Sequence, residues 1–563
     1  MERISKTSCY YFYGKEWKSW EEVCANFKWE IPEKMNAAFY VCDAHADDKS
    51  KVAIFHEDGT GRKGKITFWE LMSITNRLAN YLRSQGLNQG DRVAICLPQR
   101  AEAIISHIGV WKLGGVSVPL TVLFGPDGLK YRLEHSGSKV VIVEDTALDA
   151  LRKIKDDLKE LKQILVVGDV ELKENEIEFG EALAGMPRNF DPVELEPNDN
   201  MVLIYTGGTT GDPKGVVHSH SFIFHVPGNY ALLCNGEIKP GDVFWHPSDY
   251  AWAGPLFDVA FVALFYGKPI LTYVGGGKFD PEKAFKLIED YGLTLLHIPP
   301  TALRMMRQVK NPSGRFQLSS VRVLMSGGES LGKALPEWVS NTFGPQTVIH
   351  EAYGQTEATP LTVNCQRYFE YKYNIGKMVP GLKVEILDDA GNVLPQGEQG
   401  EIAIGAFDGN PVVLKEYWKD PNATKAKFKG NWMLTGDTGI KDDDGYFTFV
   451  SRKDDIIISS GYRIGPSEIE DTLIKHEAVL EAAVIGVPHK TRGEIPKAFI
   501  ILREGYKSSD KLKEELQGFV KKKLAKHEYP REIQFIDELP KTTTGKVKRR
   551  DLRKMDGIIS DRK

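Results

Sequence analysis

Cysteine is scarce in this chain. There are six in 563 residues (Cys9, Cys24, Cys42, Cys96, Cys234 and Cys365), scattered and with no Cys-x-x-Cys pair. No disulfide framework can be read from that pattern, and reduced, mostly structural thiols in a cytoplasmic protein are expected. Long apolar runs are also missing: none approaches the roughly 20 residues that span a bilayer. The opening stretch, MERISKTSCYYFYGKEW, lacks the apolar core of a signal peptide. Neither sign of charge prevails, with 73 Lys and Arg against 77 Asp and Glu and a net charge of -4. That leaves no global argument for nucleic acid or a membrane as partner. No repeat of fixed period and no low-complexity tract is present.

What remains is an ordinary globular composition, 42% hydrophobic and 27% charged. At roughly 100–200 residues per domain, the length implies three or more folding units. From Phe68 onward a helix pattern ends at Gly86, and RVAICL reads as a short apolar strand. A second helix pattern runs to Trp111, and VSVPL reads as another strand. DTALDALRKIKDDLKELKQILVVGD repeats the alternation, which predicts βαβ units and parallel sheets. After Lys377 strands and turns dominate: KVEILDDAGNVLP, GEIAIG, GYFTFVSRKDDIII. Past Asp454 the character turns to short mixed α/β. One helix there, DKLKEELQGFVKKKLA, carries Leu512, Leu516, Phe519, Val520 and Leu524 on one face. The expected class is α/β. A large N-terminal domain, 1–453, has parallel-rich sheets and a β-rich subdomain over about 377–453, and a small mobile α+β C-terminal domain covers 454–563.

The stretch YTGGTTGDPKGVVHSH follows the apolar run NMVLIY. It gathers Thr206, Gly207, Gly208, Thr209, Thr210, Gly211 and then Lys214. Glycines let backbone N–H groups approach an anion closely, hydroxyls add donors, and a lysine adds a point charge. The combination suits a polyphosphate. It is not a Walker A loop, because Gly215 follows Lys214 and no glycine precedes that lysine directly. His218, His220 and His225 nearby lack a matching Cys, Asp or Glu set, so packing or hydrogen bonding is expected of them rather than metal binding. KDDDGYF lacks the later bidentate Glu of a calcium loop and reads as a hairpin turn at Asp444-Gly445.

Four further stretches matter. HEAYGQTEA follows an apolar strand pattern and ends in Thr356 and Glu357, where a hydroxyl beside a carboxylate can hold a phosphate oxygen and a magnesium ion. MLTGD puts Asp437 at the end of a short strand, where a carboxylate can accept from ribose hydroxyls. SRKDDIIISSGYRIGPSEIE sets Arg452 and Arg463 around Ser-Ser-Gly, and LPKTTTGKVKRR sets Lys546 among Gly and Thr. Singly such matches are weak; together and in this order they are strong. The set resembles the acyl-adenylate-forming superfamily, which includes acyl-CoA synthetases, peptide-synthetase adenylation domains and firefly luciferase. SSGYRIGPSEIE, RGEIPKAFIIL and HEYPREIQFIDELPKTTTGK look most like medium-chain acyl-CoA synthetases, and aryl-CoA ligases such as benzoate–CoA ligase have similar stretches. One departure is Thr206-Gly207-Gly208 where the family commonly has Thr-Ser-Gly; a hydroxyl is lost but the backbone donors stay.

The resemblance implies a ligase reaction in two halves, with ATP and CoA as substrates and Mg²⁺ as cofactor. A carboxylate attacks the α-phosphate, and a thiol then displaces AMP. By similarity, Thr206 through Lys214 would hold the β- and γ-phosphates, Glu357 would bind Mg²⁺, and Thr356 would hold an α-phosphate oxygen. Gly328 and Glu329, with Glu351, Ala352, Tyr353, Gly354 and Gln355, would line the adenine. Asp437 and Arg452 would hold the ribose. Lys546 would reach both the α-phosphate and the attacking carboxylate. For the second half the C-terminal domain would rotate about Asp454. Gly461, between Ser460 and Tyr462, would then leave a narrow passage for pantetheine, with the CoA nucleotide on Arg463, Arg492, Lys521, Tyr529 and Arg531.

In acetate-activating relatives a tryptophan occupies the position of Gly354 and caps a tiny pocket. Its absence here predicts a pocket of several carbons, lined by Trp252, Gly254, Phe257, Gly328 and Gly354. Core packing is the competing account of Phe257. A medium-chain, branched or cyclic acid is expected, with an aryl acid as the alternative. An enzyme loading a carrier-protein thiol is a second alternative, against which the basic CoA residues argue. A third is an ATP-driven switch releasing ADP. Oligomeric state is left open.

Overall fold

The computed structural model describes residues 17–206, 212–275, 279–328, 331–332, 334–406, 410–459, 462–524, 529–541 and 546–558. Cys9, the loop residues Gly207 to Gly211, Glu329, Ser460 and Gly461 lie outside them, as do the side chains of Tyr462 and Arg463.

The helix Phe68–Ser84 starts where Thr67 and Glu70 form a reciprocal capping box, satisfying donors that the first turn leaves orphaned. It buries Leu71, Leu78 and Leu82, and Gly86 beyond its end takes a positive φ of 76°. The strand Arg92–Cys96, the helix Ala101–Lys112 and the strand Val116–Leu120 follow as a βαβ unit. The two strands pair in parallel from Arg92 opposite Val116 to Cys96 opposite Leu120. Every residue of Val116–Leu120 is buried, as expected of a parallel strand covered on both faces. The connecting helix is so deeply enclosed that Lys112 is 0% exposed, and its ammonium is matched by Asp43 and Asn76.

These strands belong to an eight-stranded sheet that also holds Asn200–Thr206 and Lys214–Ser219. A nine-stranded sheet carries Phe244–Trp245, Leu295–His297, Val323–Gly327 and Val348–Gln355 as neighbouring parallel strands. An antiparallel five-stranded sheet follows, built on Val384–Leu387, Gln399–Gly405, Trp432–Lys441 and Phe447–Arg452. Its last hairpin turns through Asp442–Gly445, with the Gly445 amide donating to Asp442 O at 3.0 Å. After the single turn Lys453–Asp455 a separate sheet forms from Ile457–Ser459, Tyr462–Ile464, Val479–His489, Gly493–Leu502 and Glu532–Phe535. The helix Asp510–Lys523 packs Leu512, Leu516 and Val520 into that sheet's core, while Phe519 sits at the edge against His476.

Two local expectations need correction. HEAYGQ does not follow a strand; it is the strand Val348–Gln355, and Thr356-Glu357 forms its turn into Ala358–Val363. Asp437 does not end a short strand either, because Trp432–Lys441 runs ten residues through it. Gly436 there has φ 79°, and the register against Gln399–Gly405 slips between Glu401 and Ala403. The bulge re-aims Asp437 without ending the strand.

Candidate active site

The parallel strands Phe244–Trp245, Leu295–His297, Val323–Gly327 and Val348–Gln355 end along one edge, bringing His246, His297, Gly328 and Gly354 to a common crevice. Crevices at the carboxyl ends of parallel strands are where open α/β sheets bind ligands. Gly328 has φ 91°, a conformation that glycine alone adopts without strain. Lys546 enters this crevice from the far end of the chain. A Cβ placed on Gly328 would lie 3.4 Å from Lys546 Cε and 3.7 Å from its Nζ. Val547, next to this lysine in sequence, pairs with Lys541 in an isolated antiparallel bridge.

Asp437 lies directly opposite Arg452 on the neighbouring strand, and the two form an ion pair at 3.2 Å. Tyr353 donates its hydroxyl to Asp437 Oδ2 at 2.7 Å. Burial raises the Asp437 pKa; the charges of Arg452, Lys427 and Lys546 and the Tyr353 hydroxyl pull it the other way without cancelling the shift. Asp437 Oδ1 is buried and accepts no hydrogen bond.

Glu357 sits in the turn after Val348–Gln355. Tyr417 donates its hydroxyl to Glu357 Oε1 at 2.6 Å, and the Lys214 ammonium lies 5.1 Å over the same Tyr417 ring. One tyrosine therefore ties the lysine of the Gly/Thr loop to the carboxylate of the TE turn. Thr206, opposite Lys214 in the register, donates its hydroxyl to the Lys214 carbonyl at 3.4 Å. His218 Nε2 lies 2.6 Å from the Thr356 carbonyl. Burial lowers the His218 pKa to about 4, so the ring is neutral and Nε2 donates there. His220 accepts the Ala37 amide at 3.2 Å, and both nitrogens of His225 face the carbonyls of Phe222 and Phe257. These histidines pack and hydrogen-bond.

Glu351 is buried. It accepts the Leu331 amide at 3.2 Å and the Tyr371 hydroxyl at 3.3 Å. Burial raises its pKa to about 7. Ala352 is partly buried and packs on the main core. Gln355 Oε1 accepts from Lys427 at 2.8 Å.

Two expectations about the acyl pocket fail. Phe257 is 0% exposed and packs among Trp111, Phe222 and Phe261, so it is a core residue. Gly354 does not open a void behind its missing side chain. A Cβ there would lie 2.8 Å from Thr359 Oγ1 and 3.2 Å from Thr359 Cα. The partner strand of its own hairpin fills that space. Trp252 and Gly254 remain partly exposed, just before the π-helical turn Gly254–Ala260 and at its start.

In the C-terminal part, Lys521 and Arg531 both stack on Tyr529, at 4.3 and 4.8 Å from the ring centroid, and Arg531 donates to its hydroxyl at 2.9 Å. Ser459 pairs with both Tyr462 and Gly493. Asp454 lies in the turn Lys453–Asp455. Its carbonyl accepts from Arg553 at 3.5 Å, while Asp455 takes ion pairs from Arg549 and Arg553.

Sequence reasoning missed Tyr417, Lys427, Asn229, Asp258 and Thr359. None stands in a glycine-rich or charge-patterned stretch. Tertiary packing brings Tyr417, Lys427 and Asn229 to the crevice, whereas Asp258 adjoins Phe257 and Thr359 comes from the hairpin that follows Gly354.

The chain matches the model of the AMP-binding enzyme family over residues 42–418 and that of the AMP-binding enzyme C-terminal domain over 468–546. It is 36% identical over 555 residues to an acetyl-coenzyme A synthetase of Bacillus subtilis (strain 168), covering 95% of each chain. It is 34% identical over 556 residues to the mitochondrial acyl-coenzyme A synthetase ACSM3 of Rattus norvegicus, covering 96% of this chain and 94% of that one. Its structure resembles that of the anthranilate CoA ligase AuaEII in complex with anthranoyl-AMP. The TM-score is 0.85 at 27% identity, over 94% of this chain and 98% of that one. The chain belongs to the AMP-binding enzyme family, within the acyl-adenylate-forming superfamily. By class it is an acid–thiol ligase of the acyl-CoA synthetase type. No helix among the described residues is long and apolar enough to cross a membrane.

Proposed function

We propose that this protein converts a medium-chain, branched or cyclic carboxylic acid, ATP and CoA into acyl-CoA, AMP and pyrophosphate through an acyl-adenylate. The observation that carries this reading is the arrival of Lys546 at Gly328 in the strand-end crevice. In the first half-reaction the carboxylate oxygen bonds to the α-phosphorus and the α–β bridging bond breaks. An anion must approach a polyanion, and charge grows on the α-phosphoryl oxygens. Catalysis then depends on cations and donors already placed where that charge develops. Lys546 supplies one charge that screens both anions. Thr356 and the loop from Thr206 to Lys214 supply donors for the phosphates. Asp437, with Oδ2 taking the Tyr353 hydroxyl and Oδ1 facing the Arg452 Nε at 3.2 Å without a hydrogen bond, is suited to accept from a ribose hydroxyl at Oδ1.

The residues also fit Mg²⁺. Glu357 is fixed through Oε1 by Tyr417, and among the described residues its Oε2 takes no hydrogen bond. Magnesium in nucleotide sites is held by one or two carboxylates plus phosphates and water, so a single carboxylate suffices. When bound, the ion neutralises polyphosphate charge.

In the second half-reaction the CoA sulfur bonds to the acyl carbon and AMP leaves. Lys546 blocks that approach and must withdraw by rotation at Asp454. Pantetheine would then pass Gly461, and the CoA phosphates would lie on Arg463, Arg492, Lys521 and Arg531, with the Tyr529 ring beside them. The stacking of Lys521 and Arg531 on Tyr529 supports a preformed cationic surface there.

Likeness to a solved anthranilate CoA ligase supports an aryl acid as a second reading. Pyrophosphate release measured across aliphatic, branched, cyclic and aromatic acids, each with CoA, separates the two. Release of ADP instead of AMP would overturn both.

A further inference from the structure

The crevice holds a cation that none of the roles above uses. Lys427 follows the helix Pro421–Ala426 and precedes the two-residue strand Phe428–Lys429. Its carbonyl accepts the Leu434 amide at 2.8 Å, which fixes its backbone against the strand Trp432–Lys441. Its ammonium donates to Gln355 Oε1 at 2.8 Å and to the Thr435 carbonyl at 3.3 Å. Gln355 Nε2 donates to the same Thr435 carbonyl at 3.2 Å, so the three groups close a triangle. The lysine thereby ties the end of Val348–Gln355 to Trp432–Lys441, two strands that belong to different sheets.

Both acceptors are neutral. Among the described residues no carboxylate lies within ion-pair distance of Lys427. Its neighbours in the fold differ: Lys112 has Asp43 as its partner, and Arg452 has Asp437. Burial disfavours the charged form of Lys427 and lowers its pKa. The charge of Glu357 does most to counter that, with Asp437 and Glu401 adding to it and Arg452 opposing. A partly buried charge without a paired carboxylate weighs against folding. Its place gives that charge a use. Gln355 stands two residues before Glu357, and Thr435 two residues before Asp437. The ammonium therefore sits at the joint between the segment carrying the Mg²⁺ carboxylate and the segment carrying the ribose acceptor, where a polyanion is to be bound.

We infer that Lys427 is a positioning residue of the nucleotide site: through Gln355 and Thr435 it holds together the segments that carry Glu357 and Asp437, and its positive charge finds its counter-charge in ATP. This rests on the ligase reading above and adds a residue to it. A charge fixed in advance in a sheltered site acts more strongly than in water and needs no rearrangement when the anion arrives. Without nucleotide the same charge burdens the fold. Removing it should therefore move activity and stability in different directions, which a lysine serving only the fold would not do.

The test uses the full-length enzyme with Mg²⁺, CoA and the acid that gives the fastest release in the screen above. Pyrophosphate release is read against ATP concentration, and denaturant unfolding is followed without nucleotide. Lys427→Met keeps the apolar stem of the side chain and removes its charge and donors. Its kcat/KM for ATP is expected to fall by about tenfold or more, while its unfolding midpoint stays the same or rises. Lys427→Arg keeps the charge and is expected to recover most of the loss. Lys427→Gln, which keeps a donor alone, is expected to recover less. Wild-type kcat/KM for ATP in Lys427→Met overturns the inference. A lowered unfolding midpoint in that variant, or its failure to fold, overturns it too, since either makes the lysine a prop of the fold. Recovery by Lys427→Gln equal to that by Lys427→Arg overturns the part given to charge. Release of no pyrophosphate by the wild type with any acid would instead overturn the ligase reading on which the inference rests.

Discussion

Lys546 and Gly328 meet although more than two hundred residues separate them: the lysine Nζ lies 3.7 Å from where a Gly328 Cβ would stand. The contact joins the small C-terminal sheet to the end of a central parallel strand. Gly328 contributes by lacking a side chain and by holding φ at 91°, so the ammonium reaches the crevice floor.

The link between Tyr417 and Glu357 makes the metal requirement testable. Tyr417→Phe keeps the ring under Lys214 but removes the donor to Glu357 Oε1. Partners that orient a metal ligand are typically worth about 10–100-fold in metal affinity. The Mg²⁺ concentration giving half-maximal pyrophosphate release should rise by about tenfold, with CoA dependence unchanged. An unaltered Mg²⁺ titration would remove Glu357 from the metal site.

Lys521, Tyr529 and Arg531 form one stacked group, so they should act as a unit on CoA. Tyr529→Ala frees both cations from their platform and is expected to raise the KM for CoA by about tenfold, close to 1.4 kcal/mol. Acyl-AMP formation without CoA should stay the same. Equal loss in both assays would mean that the substitution damages the fold instead.

Asp258 predicts a pH dependence of stability. Its carboxyl pKa is raised by burial from 3.8 to about 7. The unfolded chain therefore releases this proton first, and the folded state loses relative stability as pH rises between those values. Denaturant midpoints of the wild type should fall relative to those of Asp258→Asn from about pH 4 to pH 7 and run parallel above it. Parallel curves throughout would show that the folded carboxyl ionises normally.

Elements with a strong period were legible in the sequence. Arg92–Cys96, Ala101–Lys112 and Val116–Leu120 follow from alternating apolar runs, because a parallel strand and a buried helix each impose a composition on their own residues. The same is true of the Asp442–Gly445 turn. Properties set by a partner strand were not legible. Asp437 faces Arg452 in a pairing whose register slips between Thr438 and Gly439, which no local pattern announces. The lost indole at Gly354 could be read, but Thr359 filling the space could not, since that depends on how the hairpin closes. Tyr417 and Lys427 come from a segment with neither glycine loop nor apolar period, and packing alone makes them neighbours of Glu357 and Gln355.

The most direct measurement separates the two half-reactions in Lys546→Ala. Acyl-AMP formation from acid and ATP should fall by about 100-fold or more, the usual cost of removing one preorganised charge-stabilising donor. Thiolysis of supplied acyl-AMP by CoA should stay within a few-fold of wild type. Full-speed adenylation by the variant, or an equal loss in both halves, would contradict the placement of this amine at the nucleotide.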